Sequence, residues 1–212
     1  MVKSEANDLE TKKSYWEDVH RNRALTDSGW YQSTPESSLQ LIAASNISKK
    51  ARIIDVGGGD SLLVDHLIHL GYENITVLDI SEQAIEKAKK RLGVLAEKVN
   101  WICTDITSFS ADTSFDLWHD RACFHFLTDK YELKHYKQKA VQSITHDGAM
   151  IVGTFSKSGP AKCSGLPVQQ YNASTLEKLF SGEFESIENF NSVHMTPSNV
   201  EQNYVFCRFK RK

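Results

Sequence analysis

No stretch of the 212-residue chain approaches the apolar length of a membrane-spanning helix, about 18 residues, and no signal peptide is visible. The expectation is a cytoplasmic protein with reduced thiols and no membrane partner. Cysteine is scarce: Cys103, Cys123, Cys163 and Cys207 form no C-x-x-C pair and no metal-like spacing with histidine, so no metal site is expected. Excess charge is missing as well. With 25 basic and 27 acidic residues the formal net charge is -2, which provides no broad attraction to nucleic acid. The cluster Lys87, Lys89, Lys90 and Arg91 lies on a predicted amphipathic helix with Ile85, Ala88 and Leu92 inward, so it reads as a solvated helix face. Internal repeats and low-complexity segments are absent. What is present, 40% hydrophobic residues in a chain of this length, suits one α/β domain.

The most informative run is Ile53-Ile54-Asp55-Val56-Gly57-Gly58-Gly59-Asp60-Ser61, followed one βαβ unit later by Val77-Leu78-Asp79-Ile80. It reads as a strand, a glycine turn that lets backbone approach a ligand, and a second strand ending in an acid able to accept both ribose hydroxyls. A dinucleotide fingerprint requires a third glycine where this chain has Leu62. Asp55 and Asp60, which frame the loop, sit badly beside a pyrophosphate but well beside a cation. S-adenosylmethionine, with its ammonium and sulfonium, fits that frame.

Around the loop, elements alternate: strands at 52–56, 75–79, 99–103, 115–119 and 149–155, and helices at 61–70, 81–92 and 130–145. Ser81 reads as a helix cap, as do Ser61 and, later, Ser174. Two further strands, 184–193 and 203–210, form a hairpin signal. Ahead of the sheet, residues 1–48 read as a helical cap or lid segment, with Met1 to Thr11 a frayed arm, and residues 49–212 as the cofactor-binding domain. The intervening Ser28-Gly29-Trp30-Tyr31-Gln32 has two readings, a lid over the cleft or a pin holding the first helices to the sheet.

An acid-framed glycine loop opening a βα alternation that closes with a hairpin resembles the class I S-adenosylmethionine-dependent methyltransferase family over about residues 50 to 210. The resemblance rests on Asp55 to Gly59, Asp79, Asp105-Ile106 and Phe115 to Asp120. It implies a Rossmann-like α/β fold with a seven-stranded mixed sheet in the order 3-2-1-4-5-7-6, strand seven antiparallel, and helices on both faces. It further implies that Gly57, Gly58 and Gly59 lie against the methionine part and that Asp55 holds the ammonium. Asp79 would take the ribose, Ile80 would pack on adenine, and Asp105 and Ile106 would read the adenine edge. Strand four lacks the Asn-Pro-Pro-Tyr type of ending, which argues against adenine or glutamine as acceptor.

At the exit of strand four stands His119-Asp120-Arg121-Ala122-Cys123-Phe124-His125-Phe126. Asp120 or His125 is a candidate general base, Asp120 is a candidate cofactor contact as well, and Arg121 is a candidate anchor for an anionic substrate. His125 reads equally as a structural histidine. Cys123 reads as core. The loop Lys157 to Pro167 emerges on the cofactor side and is the expected recognition segment, with Trp30, Tyr31, Phe155 and Cys163 as candidate acceptor contacts. Cys163 itself reads as either a site thiol or an exposed bystander. The expected function is methyl transfer to a small-molecule acceptor, leaving S-adenosylhomocysteine. A protein-lysine methyltransferase is the alternative; a non-catalytic cofactor-binding module and an NAD-dependent dehydrogenase are weaker ones.

Overall fold

The computed structural model describes residues 2–212, with side chains from Leu9 onward. In chain order the elements are α1 (Val2–Asn22), α2 (Glu36–Ala44), β1 (Arg52–Val56), α3 (Leu63–His69), β2 (Asn74–Asp79), α4 (Glu82–Leu92), β3 (Val99–Cys103) and β4 (Phe115–Arg121). They continue with α5 (Lys130–Ser143), β5 (Ile144–Phe155), α6 (Ala173–Phe180), β6 (Phe184–Met195) and β7 (Glu201–Arg211). The strands make one seven-stranded sheet in the order β3-β2-β1-β4-β5-β7-β6. β1 to β5 run parallel, and β7 pairs antiparallel with both β5 and β6. The expected order and the antiparallel seventh strand are both present.

Strand periodicity builds the core on both faces. In β1, Ile54 and Val56 join a cluster with Trp118, Met150 and Phe180, while Ile53 points to the opposite side with Leu41, Leu67 and Phe206. Since both faces of the central sheet are covered, the middles of the central strands are near-continuously apolar, and the buried acids among them sit toward the C-terminal ends. Asp55, Asp79 and Asp120 are therefore buried by position. Among the described residues no helix is long and apolar enough to cross a membrane.

Local chemistry explains the boundaries that differ from expectation. α6 is capped by Asn172 in a reciprocal capping box with Thr175, not by Ser174. α3 starts at Leu63 after Leu62, and Ser61 Oγ meets only the Leu63 N–H at 3.4 Å, so Ser61 is no N-cap. β5 begins at Ile144, five residues before the expected start, because Ile144 pairs with Phe115 before the strand irregularity that precedes Leu117. The N-terminal run is no frayed arm: α1 starts at Val2 and its later turns dock on the sheet domain, while Met1 lies outside the described residues.

Candidate functional site

β1, β2 and β4 all end at one cleft of about 310 Å³, the position where a parallel sheet exposes its C-terminal edge. The glycine loop after β1 forms its floor. It is fastened to β2 by the Gly57 N–H and Gly58 N–H, both donated to the Leu78 carbonyl at 2.7 and 3.3 Å. Gly57 and Gly59 have φ of +66° and +47°. A Cβ on Gly57 would stand 2.5 Å from Cys123 Cβ; one on Gly58, 2.5 Å from Asp55 Oδ2; one on Gly59, 2.8 Å from Asp79 Oδ2. The three glycines are thus demanded by the protein's own close packing against the groups that line the cleft, and this brings Asp55, Asp79 and Cys123 directly beneath the loop. Cys123 is accordingly half-buried: it packs against the core, as read from the sequence, and also lines the cleft.

Each acid has a distinct setting. Asp55 Oδ1 is hydrogen-bonded to His119 Nδ1 at 2.7 Å, and His119 Nε2 lies 2.9 Å from Ser38 Oγ on α2. Asp79 Oδ1 accepts the Ser81 N–H at 2.8 Å. Burial raises the Asp79 pKa to about 6, against the opposing pull of His20 and the Ser81 N–H and with a smaller push from Asp60 and Asp55. Asp60 faces His20 Nδ1 at 3.5 Å, and its Oδ1 is buried with no hydrogen-bond partner. Asp105 Oδ1 takes the Thr107 N–H at 2.7 Å in a local turn. None of these acids is paired with Lys or Arg among the described residues, so the cleft is a place for a cationic ligand.

Of the sequence-derived candidates, Asp55, Gly57, Gly58, Gly59, Asp79, Ile80, Asp105 and Ile106 all line the cleft. So do Trp30, Tyr31, Arg121 and Cys163. Three do not. Asp120 lies behind the cleft wall, its Oδ1 accepting the Cys123 and Phe124 N–H groups at 3.1 and 3.0 Å and its Oδ2 the Tyr136 hydroxyl at 2.9 Å. That places it as the brace of the turn after β4. The Trp118 indole N–H donates in turn to Tyr136 Oη at 3.0 Å, which joins the brace to the core. His125 is fully buried between Phe126 and Phe155, ring centroids 4.6 and 4.5 Å away, and desolvation followed by repulsion from Arg121 lowers its pKa to about 3. Phe155 is buried between His125 and Tyr204 and does not reach the cleft. Cys163, expected to be exposed if a bystander, is buried, because its two-residue ribbon with Leu166-Pro167 folds inward.

The sequence reading missed His20, Trp16 and Phe126. Trp16 and His20 are one helical turn apart on α1 and reach over the cleft, Trp16 meeting Phe126 edge-on at 4.9 Å and His20 lying 5.6 Å from Trp30. Their spacing was visible, but no motif linked a terminal helix to the far end of the sheet. Glu17 was equally silent. Its carboxylate accepts the N–H groups of Glu82 and Gln83 at 2.8 and 2.9 Å and the Ser81 hydroxyl at 3.1 Å, capping α4 from another helix.

Residues 53–148 match a family model described as a methyltransferase domain. The mouse (Mus musculus) eEF1A lysine and N-terminal methyltransferase is 30% identical over 121 residues, 56% of this chain and 17% of that protein. Nodulation protein S of Bradyrhizobium diazoefficiens is 29% identical over 104 residues, 49% of each. The match thus spans under a fifth of the first relative and about half of the second. Among solved structures, the N-methyltransferase NodS of Bradyrhizobium japonicum WM9 in complex with S-adenosyl-L-homocysteine superimposes with a TM-score of 0.70 at 19% identity, covering 92% of this chain and 97% of that one. A structure from work on the conversion of a disulfide bond into a thioacetal group during echinomycin biosynthesis gives 0.75 at 19% identity, covering 94% and 93%. The glycine loop and the strands from Ile53 of β1 through β4 lie inside the matched segment, and the chain is similar to S-adenosylmethionine-dependent methyltransferases in that segment and in its fold.

Proposed function

We propose that the cleft binds S-adenosylmethionine and that the chain transfers its methyl group to a small-molecule acceptor. The observation that carries the reading is the group of cleft acids without a Lys or Arg partner among the described residues, with the Asp60 Oδ1 beside the glycine loop buried and free of a hydrogen bond. When bound, the cofactor supplies an activated methyl on a sulfonium. Asp79 accepts the ribose hydroxyls, Asp60 and Asp55 face the ammonium, and Asp105 offers its second oxygen to the adenine amino group. Ile80 packs on one face of the ring, and Ile106 offers its backbone N–H to the ring edge. Because Asp55 is already held by His119, Asp60 takes the larger share of the ammonium than the sequence assigns it.

Methyl transfer from a sulfonium needs in-line alignment and exclusion of water more than it needs proton movement, and positioning supplies about 7 to 11 kcal/mol in favourable cases. Neither Asp120 nor His125 supplies a base to the cleft, the one being hydrogen-bonded on both oxygens and the other sealed in the core. Residues 1–48 act in this reading as the cap that excludes water, with Trp16, His20, Trp30 and Tyr31 on the cleft side. A second reading, methylation of a protein lysine, draws on the similarity to the eEF1A lysine and N-terminal methyltransferase.

Calorimetric titration with S-adenosylhomocysteine, with NAD as control, tests the cofactor. Micromolar binding of the first alone supports the reading, and binding of NAD alone, or of neither, overturns it. A screen of small-molecule acceptors with radiolabelled methyl donor, run beside purified eEF1A, then separates the two acceptor classes. Label entering eEF1A and no small molecule would sink the first reading.

A further inference from the structure

Arg121 is a half-buried cation without a counter-ion among the described residues. Its Nη1 donates to the Trp30 carbonyl at 3.0 Å and its guanidinium carbon lies 4.9 Å over the Tyr204 ring. Nε and Nη2 are both shielded from solvent and have no hydrogen-bond partner among the described residues. These two nitrogens form one edge of the planar guanidinium, the edge that presents two parallel N–H groups to an oxyanion. Leaving that edge dry and unpaired is costly unless a ligand completes it.

The groups around Arg121 carry no negative charge to do so. Burial lowers the pKa of His125 and His194, and Arg121 lowers both further, so both rings are neutral. Burial likewise pushes the Tyr204 hydroxyl up to about 12 and raises the Cys163 thiol, keeping both protonated. Arg23 adds a second positive charge near Cys163. The acids of the cleft instead belong to the glycine loop and the ends of β1 to β3. Arg121 lines the same cleft with the aromatic side chains of Trp30 and Tyr31.

We propose that Arg121 is the specificity-determining residue for the acceptor, and that the acceptor carries a carboxylate which docks in a bidentate manner on Nε and Nη2. The proposal rests on the methyltransferase reading for the word acceptor, but the anion site stands on its own geometry. Arg121 binds and orients; it takes no part in bond making. An acceptor lysine, bringing its own ammonium, would meet repulsion here, whereas a small aromatic or aliphatic acid would find both a partner for its charge and an apolar wall.

Benzoate, neutral benzamide and phenyl phosphate serve as probes, titrated calorimetrically into the protein alone and into the protein saturated with S-adenosylhomocysteine, with the Arg121 Nε–H resonance followed by nitrogen-15 NMR. Benzoate is expected to bind at least tenfold more tightly than benzamide and to shift that resonance. Arg121→Lys, which keeps the charge but loses the fork, should weaken benzoate at least tenfold and leave S-adenosylhomocysteine affinity within twofold. Equal binding of benzoate and benzamide, or no binding of either, overturns the site, and this comparison needs no variant. Tighter binding of phenyl phosphate overturns the carboxylate assignment. If S-adenosylhomocysteine does not bind, the cofactor reading falls while the titrations of the protein alone still decide the anion site.

Discussion

Asp55 and His119 stand opposite each other in the register of β1 and β4, joined by a 2.7 Å hydrogen bond that seals the floor of the cleft. Both side chains are almost completely buried. With Nδ1–H donated to Asp55, His119 Nε2 accepts from Ser38, so α2, β4 and the end of β1 are tied through one imidazole. Removing the ring leaves a buried carboxylate without its partner, which costs about 3 to 5 kcal/mol. Removing the Ser38 hydroxyl forfeits a single neutral bond, about 1 kcal/mol. Urea unfolding of His119→Ala and Ser38→Ala checks the ranking; a Ser38→Ala loss as large as that of His119→Ala refutes the account.

Gly57 and Cys123 are matched in the same way, by contact. Gly57→Ala must bear both a left-handed φ of +66° and a Cβ 2.5 Å from Cys123 Cβ, and a loss of roughly 2 to 4 kcal/mol is expected. Cys123→Gly in the same chain removes the collision and leaves the backbone strain, about 1 to 2 kcal/mol. The double variant should therefore be more stable than Gly57→Ala alone. If the two changes simply add, the close approach is not what demands glycine at 57.

These two relationships show which parts of the molecule the sequence made readable. Strand and helix periodicity, the acid-framed glycine run and the spacing to Asp79 are local patterns, and they led to the sheet and to most cleft-lining positions. Asp120 was misread because an acid at a strand end carries the same signal whether it faces a ligand or braces the next turn. Only the Tyr136 hydroxyl and the two N–H groups of Cys123 and Phe124 distinguish the cases, and they depend on tertiary packing. For His125 the structural reading, held equally with the catalytic one, is the one its packing favours, and Phe155 is drawn into the same buried cluster. Glu17, Trp16 and His20 act across 40 or more residues of chain, where no local period reports contact.

With Asp79 proposed to take the ribose hydroxyls, cofactor affinity is expected to depend on pH. Its folded pKa lies at about 6, above the ordinary 3.8, so the folded protein without cofactor binds this proton more readily than the unfolded chain does. Stability from this group is therefore greatest below 3.8 and falls as pH rises through about 6. Asp120, raised to about 6 chiefly by burial, adds a slope of the same sign. Asp79→Asn keeps an acceptor for the Ser81 N–H and should stabilise the free protein at pH 8 by an amount on the order of 2 kcal/mol. Ribose hydroxyls favour the ionised carboxylate, so S-adenosylhomocysteine should bind more weakly as pH drops below about 6, and Asp79→Asn should bind it with a loss of about 1 to 3 kcal/mol and little pH dependence. A wild-type affinity that is flat between pH 5 and 8 contradicts the placement of Asp79 against the ribose.

Glu17 and Tyr15 hold α1 across the cleft from two sides. Glu17 caps the N-terminus of α4, and the Tyr15 hydroxyl donates to the Ser164 carbonyl at the tip of the ribbon that carries Cys163. Burial alone would raise the Glu17 pKa, but the Gln83 and Glu82 N–H groups and the Ser81 hydroxyl outweigh it and leave the value below the ordinary 4.5. Its contribution is accordingly complete above pH 4.5 and is lost as pH falls through the depressed folded value. Glu17→Gln keeps the shape and removes the charge from the α4 terminus, a change of about 1 kcal/mol. If the N-terminal segment is the cap of the cleft, hydrogen exchange in α1 should accelerate several-fold in Glu17→Gln and in Tyr15→Phe, and S-adenosylhomocysteine should slow it again in both. Unchanged exchange in α1 with or without ligand would instead make this helix a fixed wall, with entry to the cleft left to the Lys162–Cys163 ribbon.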